Sequence, residues 1–174
     1  RALILNALER FEFNSLLEVG CNAGPNLMRI REKYPKINLF GADVNYDAVQ
    51  RAQKEIDRAI VHCSSVESLP FEKKEVDVIL ADAVLMYVQN FDAALDEMCR
   101  VAKKGIIILD WFAEEECIKD FHHARNYPKL LESRGWFNFE TISLTEESWP
   151  SEKWQRNGKL FMFRPALLTG EKSS

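Results

Sequence analysis

What the sequence has little of narrows the reading first. No apolar run approaches the roughly 20 residues of a membrane-spanning helix, and a secretory leader is not expected from the opening residues. The chain starts on Arg1 inside what reads as a helix, so a preceding segment is expected to be missing. Basic residues are not in excess: 23 Lys and Arg stand against 27 Asp and Glu, for a formal charge of −4. With the two signs interspersed, no basic field exists to hold a nucleic-acid backbone, which argues against a nucleic-acid partner, although a local patch can hide inside a negative total. Cysteine is sparse at four, Cys21, Cys63, Cys99 and Cys117. None forms C-x-x-C and none has zinc spacing with histidine, so no metal is expected. Buried free thiols in a reducing, cytoplasmic setting are the expectation.

What is present is an ordinary globular mixture. Hydrophobic residues make up 47% and charged residues 29% of 174 positions, enough for one domain over 1–174 with one sizeable core. Apolar runs of strand length alternate with helical patterns. Strands are expected at 15–20, 37–44, 59–65, 76–82 and 106–111. A helix after the first strand carries Leu27, Ile30 and Tyr34 on one face and ends at Pro35. Another, cappable by Asn45, turns Ala48, Val49, Ala52 and Ile56 inward. A third runs from Phe91 to Gly105, with Lys103 and Lys104 in its last turn. Residues 113–134 read as mostly helical with a break at Tyr127-Pro128. Two closing strands follow, near 137–144 and 159–165, with no helix-length pattern between them, and residues 172–174 read as a frayed tail. The alternation predicts a doubly wound α/β fold. A seven-stranded, mostly parallel, Rossmann-like sheet is expected, with the last strand antiparallel and helices on both faces.

Ligands of such sheets bind at the carboxyl ends of the strands. That puts the turn "EVGCNAG", after the first strand, in the crevice. Gly20 permits a sharp turn and close approach of a ligand to the backbone. Gly24 opens the next helix, whose first N–H groups are unpaired. Asn22 stands where a dinucleotide fingerprint has its middle glycine, and it is the non-glycine residue most at ease with positive φ. Its side chain leaves less room for a pyrophosphate. A tight turn with no ligand is the plainer reading of this segment alone. Asp43, nineteen residues beyond Gly24, ends the second strand, where an acid accepts hydrogen bonds from ribose hydroxyls; alone it is equally a capping or surface residue.

Taken together, five segments in order resemble the class I S-adenosylmethionine-dependent methyltransferases, of the type 11/12-like domain. They are "LLEVGCNAG", "FGADVNYDAVQRA", "SSVESLPF", "VDVILADAVLMYV" and "ALDEMCRVAKKGIIIL", and the resemblance covers nearly the whole chain. It implies the strand order 3-2-1-4-5-7-6, S-adenosylmethionine as cofactor, S-adenosylhomocysteine as product, and a small-molecule, glycan or lipid-precursor acceptor. Glu18 would hold the cofactor's amino group directly or through water. Gly20, Cys21, Asn22 and Gly24 would pass backbone against its methionine and ribose. Asp43, followed by Val44, would take the ribose hydroxyls. Ser65 falls where the family usually has an aspartate for the adenine amino group, a weaker acceptor. Val66 would cover the ring, Asp82 would lie near the sulfonium, and Leu85 and Met86 would line the crevice.

Methyl transfer needs alignment and exclusion of water more than a base. Where the acceptor must lose a proton, Asp82 and Asp110 are the candidates, with His122 and His123 behind them as adjacent residues of a helix, more readily a solvated pair. Trp111, Phe112, Phe121 and Tyr127 are available as walls of an acceptor pocket, and equally as core. Glu114, Glu115 and Glu116 read as a solvated first helical turn. "ADAVL" after the fourth strand is not the D/N-P-P-Y/F turn of amino methyltransferases acting on bases. Two other readings stay open: a non-catalytic subunit of the same fold acting through a protein partner, and a nucleotide-dependent oxidoreductase, which the absent third glycine disfavours.

Overall fold

A computed structural model describes residues 2–119 and 121–166. The expected tail at 172–174 lies outside the described residues. The chain opens with α1 (Ala2–Leu8), then alternates β1 (Ser15–Val19), α2 (Pro25–Lys33), β2 (Asn38–Asp43), α3 (Tyr46–Glu55) and β3 (Ala59–Cys63). β4 (Val76–Asp82) leads through a 3-10 turn at Leu85–Tyr87 into α4 (Phe91–Val101) and β5 (Ala102–Trp111). The remainder is β6 (Cys117–Lys119), β7 (His122–Ala124), α5 (Tyr127–Glu132), β8 (Trp136–Ser143), α6 (Glu152–Asn157) and β9 (Gly158–Pro165).

Seven strands form one sheet in the order β3-β2-β1-β4-β5-β9-β8. The first five in that row are parallel, and β9 runs antiparallel to both β5 and β8. Two short strands, β6 and β7, pair only with each other and shift the labels of the last two relative to the expected count. Strands buried on both faces need apolar residues at every position, and β5 supplies them. Ile106 and Ile108 face the layer of α4 and α5, while Ile107 and Leu109 face that of α1, α2 and α3. The period of two that sends alternate side chains to opposite faces produces these two cores from one run. Asn45 caps α3, accepting the Ala48 N–H at 3.2 Å, and Ala48, Val49, Ala52 and Ile56 are buried as expected.

Three expectations are corrected. α4 stops at Val101, so Lys103, Lys104 and Gly105 begin β5 rather than end a helix. Gly105 answers to packing: a Cβ there would stand 2.3 Å from the Phe11 ring. Lys104 reaches Asp77 at 3.1 Å, a tertiary pair with no bearing on a helix terminus. Secondly, residues 113–134 are not mostly helical. They hold the β6–β7 hairpin and a six-residue α5, which Pro128 opens rather than breaks, its lost N–H costing nothing in a first turn. Residues 114–116 are therefore no helical turn. Lastly, α6 lies between the closing strands; none of its six residues is buried, so it left no periodic signal. The cysteines are all free, but only Cys21 is buried; Cys63 is exposed and the other two are half-buried.

Candidate functional site

Three residues out of five in the turn after β1 have left-handed backbone: Gly20 (φ 68), Asn22 (φ 50) and Gly24 (φ 77). At Gly20 the strain is joined by crowding, since a Cβ would lie 2.4 Å from a Val84 methyl. Asn22 fits its conformation locally, its amide oxygen accepting the Ala23 N–H at 2.7 Å. The first three residues of the turn are tied to the end of β2. The N–H groups of Gly20 and Cys21 donate to the Ala42 carbonyl at 2.7 and 3.1 Å. The N–H of Asn22 donates to Asp43 Oδ2 at 2.7 Å, and Asp43 Oδ1 accepts the Asn45 N–H at 2.9 Å. Asp43 thus braces the turn with one lone pair on each oxygen and keeps the others for a ligand. Gly24 is the N-cap of α2 with Pro25 behind it, and no side chain caps that end.

Beneath the turn, Glu18 of β1 and Asp82 of β4 are bridged by one amide. Asn26 Nδ2 donates to Glu18 Oε1 at 2.7 Å and to Asp82 Oδ2 at 2.8 Å. Glu18 is 2% and Asn26 4% exposed. The bridging donor is a neutral amide, so it holds the two carboxylates side by side without cancelling their charge. Cys21 is no nucleophile here: burial, then the charges of Glu18 and Asp43, push its thiol up to about 12.

The crevice has two compartments. One, of about 370 Å³, is lined by Asp43, Val44, Ser65, Val66 and Glu67 from the β2 and β3 ends, and by Val84, Tyr87 and Gln89. The other, of about 210 Å³, gathers Glu18, Gly20, Cys21, Asn22, Asn26 and Asp82 with Trp149. Val44 is 72% exposed, an apolar side chain offered to the compartment rather than to the core. Ser65 Oγ donates to Glu67 Oε2 and accepts the Glu67 N–H, both at 3.2 Å. Four carboxylates line the two compartments, and among the described residues no lysine or arginine does.

Other expected residues stand elsewhere. Leu85 and Met86 are buried in the core, and their neighbours Val84 and Tyr87 line the crevice instead. Asp110 is fully buried behind the 3-10 turn, accepting the N–H of Trp111 at 2.8 Å and of Met86 at 3.2 Å. It does not line the crevice. His122 and His123 sit on β7, not on a helix, and point to opposite sides: His122 Nε2 lies 3.1 Å from the Tyr87 hydroxyl, His123 Nδ1 3.3 Å from Glu116. Trp111 and Tyr127 are core, Phe112 packs against it, and Phe121 is 96% exposed. No group of three metal-ligating side chains occurs among the described residues. Sequence reasoning missed Asn26, whose signal was a polar residue on the inner face of α2. It also missed Arg125 and Trp149, for which no local pattern exists, since each reaches its partners from a distant segment.

Burial pushes the Asp110 carboxyl up to about 7, against the opposing pull of its backbone donors. A carboxyl raised on folding binds a proton that the unfolded chain has released, so its contribution is greatest below the ordinary pKa of 3.8 and is lost as pH rises toward 7. Asp110→Asn is expected to remove this slope. In urea denaturation at pH 5, 6, 7 and 8, the variant should gain on the wild type by at most about 1.4 kcal/mol per pH unit up to pH 7, then level off. A difference constant from pH 5 to 8 would mean that Asp110 is ionised throughout.

With this geometry in place, comparison with known proteins gives the following. The family model described as "Methyltransferase domain" matches residues 17–109. Malonyl-[acyl-carrier protein] O-methyltransferase of Priestia megaterium is 22% identical over 153 residues, covering 80% of this chain and 56% of the relative. Sterol 4-C-methyltransferase of Caenorhabditis elegans is 26% identical over 166 residues, covering 87% and 47%. The chain therefore spans about half the length of these relatives. An O-methyltransferase from the trans-AT PKS multienzyme of Brevibacillus brevis, solved with S-adenosyl-L-homocysteine, superposes with TM-score 0.72 at 13% identity, over 89% of this chain and 67% of that one.

Proposed function

The chain belongs to the methyltransferase domain family, of the class I S-adenosylmethionine-dependent kind, and on that premise we propose that it moves a methyl group from S-adenosylmethionine to a small-molecule, glycan or lipid-precursor acceptor. We take residues 1–174 as a single such domain. The observation that carries the reading is the lining of the crevice: four carboxylates and, among the described residues, no lysine or arginine around a left-handed turn. That lining repels a pyrophosphate, which disfavours a dinucleotide, and suits a ligand bearing an ammonium and a sulfonium. Relatives named for malonyl-[acyl-carrier protein] and sterol methylation support the acceptor class.

S-adenosylmethionine supplies an electrophilic methyl on a positively charged sulfur. This chain's residues would bind, orient and shield. Asp43, with lone pairs left after bracing Asn22 and Asn45, accepts the two ribose hydroxyls. Val44 and Val66 offer apolar faces to the adenine. Glu67, oriented by the Ser65 hydroxyl, provides the carboxylate that the serine lacks for the adenine amino group. Glu18 meets the ammonium directly or through water, and the backbone of Gly20, Cys21, Asn22 and Gly24 passes along the methionine. Asp82, held in place by Asn26, lies toward the reacting carbon and would receive an acceptor proton there. Asp110 acts as a brace for the 3-10 turn. Trp149 closes the compartment of Glu18 and Asp82 against water.

Isothermal calorimetry tests the reading. S-adenosylhomocysteine should bind saturably and NAD should not. Absence of binding at millimolar S-adenosylhomocysteine overturns it in favour of a non-catalytic subunit that acts through a protein partner; binding of NAD instead favours an oxidoreductase.

A further inference from the structure

A large groove lies at the other end of the sheet. It is a groove of about 1020 Å³ where α1 runs out, β5 begins, β8 begins and β9 ends. None of its lining residues belongs to either crevice compartment. β5 enters the groove at Lys103 and comes level with Asp82 at Leu109, so the two sites stand roughly 20 Å apart at about 3.3 Å per residue.

The groove combines aromatic walls with cations. Arg10, Lys103, Lys104 and Arg164 line it with only two acids, in a chain whose total charge is −4. Arg10 is paired with Glu140 at 2.9 Å and Lys104 with Asp77 at 3.1 Å. Lys103 and Arg164 have no ion pair among the described residues. The Arg164 guanidinium is held in a set orientation by two contacts: it stacks 4.5 Å from the centre of the Phe139 ring, and its Nη2 donates to the Arg10 carbonyl at 2.8 Å. The rest of its planar fork of donors remains for a ligand. Phe137, the cross-strand partner of Arg164, is 57% exposed and shares the Phe139 face of β8.

We propose that this groove is a second binding site, for a small amphipathic organic anion. A flat apolar body would lie against Phe137 and Phe139, and a carboxylate, sulfonate or phosphate would take the free donors of Arg164 with Lys103 beside it. Two features argue for a small molecule over a macromolecule. The site is concave and of ligand size, and a large methyl acceptor docked here would present its reactive end far from the crevice. Charge complementarity sets the sign: Lys103 and Arg164, without an ion pair among the described residues, and the rings beneath Arg164 favour an anion whose own rings exclude water from the contact.

The test is an NMR titration of the full chain, ¹⁵N-labelled, with naphthalene-2-sulfonate, and in parallel with the neutral naphthalene-2-methanol. No cofactor is needed, so the outcome is independent of whether S-adenosylhomocysteine binds. Saturable shifts are expected at the amides of residues 9–12, 103–105, 137–139, 164 and 166. Arg164→Ala should weaken binding about tenfold. Lys103→Ala, which breaks no hydrogen bond or ion pair among the described residues, should weaken it severalfold, and the alcohol should bind at least tenfold less tightly than the sulfonate. Any of three results overturns the proposal: shifts centred on residues 18–26 and 82–84, equal affinity for alcohol and sulfonate, or unchanged affinity in both variants. Binding that appears only after removal of residues 167–174 also overturns it, by making the chain's own end the occupant.

Discussion

Asp43→Ala is expected to weaken S-adenosylhomocysteine binding by about two orders of magnitude. Two hydroxyls each lose a charge-assisted acceptor, at about 1.5 kcal/mol apiece, and each 1.4 kcal/mol is tenfold. The same substitution releases the Asn22 and Asn45 N–H groups, which lie at the exposed lip of the crevice and can turn to water. The fold should therefore survive, with a stability loss of about 1 kcal/mol. Asp43→Asn keeps one carbonyl acceptor and should fall between, near tenfold. Calorimetry beside a thermal melt separates the two effects. Unchanged affinity in Asp43→Ala would show that no ribose sits on this carboxylate, even if the cofactor binds.

The largest effect on stability is expected from Arg125→Met. Arg125 is 2% exposed and makes four contacts. It donates to the Leu85 carbonyl at 2.9 Å, the Val88 carbonyl at 3.3 Å and Glu116 at 3.0 Å, and it stacks 4.0 Å from the centre of the Phe91 ring. Leu85 and Val88 flank the 3-10 turn, so one side chain from β7's end clamps the loop after β4. Methionine fills much of the volume but donates nothing. Loss of hydrogen bonds from a charged group, with a buried carbonyl left short of a partner, costs about 3 kcal/mol. At about 2–4 °C per kcal/mol for a domain of this size, melting should fall by roughly 10 °C. Because Val84 and Tyr87 line the larger compartment, cofactor affinity should fall too. A melting shift under about 2 °C would mean that water replaces the arginine and the clamp is dispensable.

Much of the fold was legible because burial on both faces leaves a plain trace. Residues 106–109 could only be an inner strand, and Ala48, Val49, Ala52 and Ile56 could only be one side of a helix. The left-handed Asn22 and the Asp43 position came from the logic of turns and strand ends, and the sheet order from the resemblance. Where side chains answer to distant partners, the trace failed. Lys103 and Lys104 read as the dipole-matched end of a helix, yet Lys104 serves Asp77, and a Phe11 ring requires Gly105. Residues 113–134 have helical composition, but Arg125 and His122 hold them as a hairpin against the 3-10 turn. Asp110 was read by its place at a strand end. Its depth, which decides whether it meets a ligand or a backbone N–H, depends on the turn packed over it. The Asn26 bridge was invisible for the same reason, since it exists only once β1, β4 and α2 have met.

The position of β9 has a consequence for how the protein is made. This strand is the last of the described elements to leave the ribosome, yet it lies inside the sheet, between β5 and β8. Until it arrives, β5 shows residues 106–111 as an open, apolar edge with every ladder group on one side unmatched. Such an edge recruits any passing strand. The growing chain must carry it through the synthesis of some fifty further residues, from Trp111 to Gly158 and beyond, before its own partner exists. A chaperone's demand on this protein is therefore set less by the helices than by the interval between those two strands.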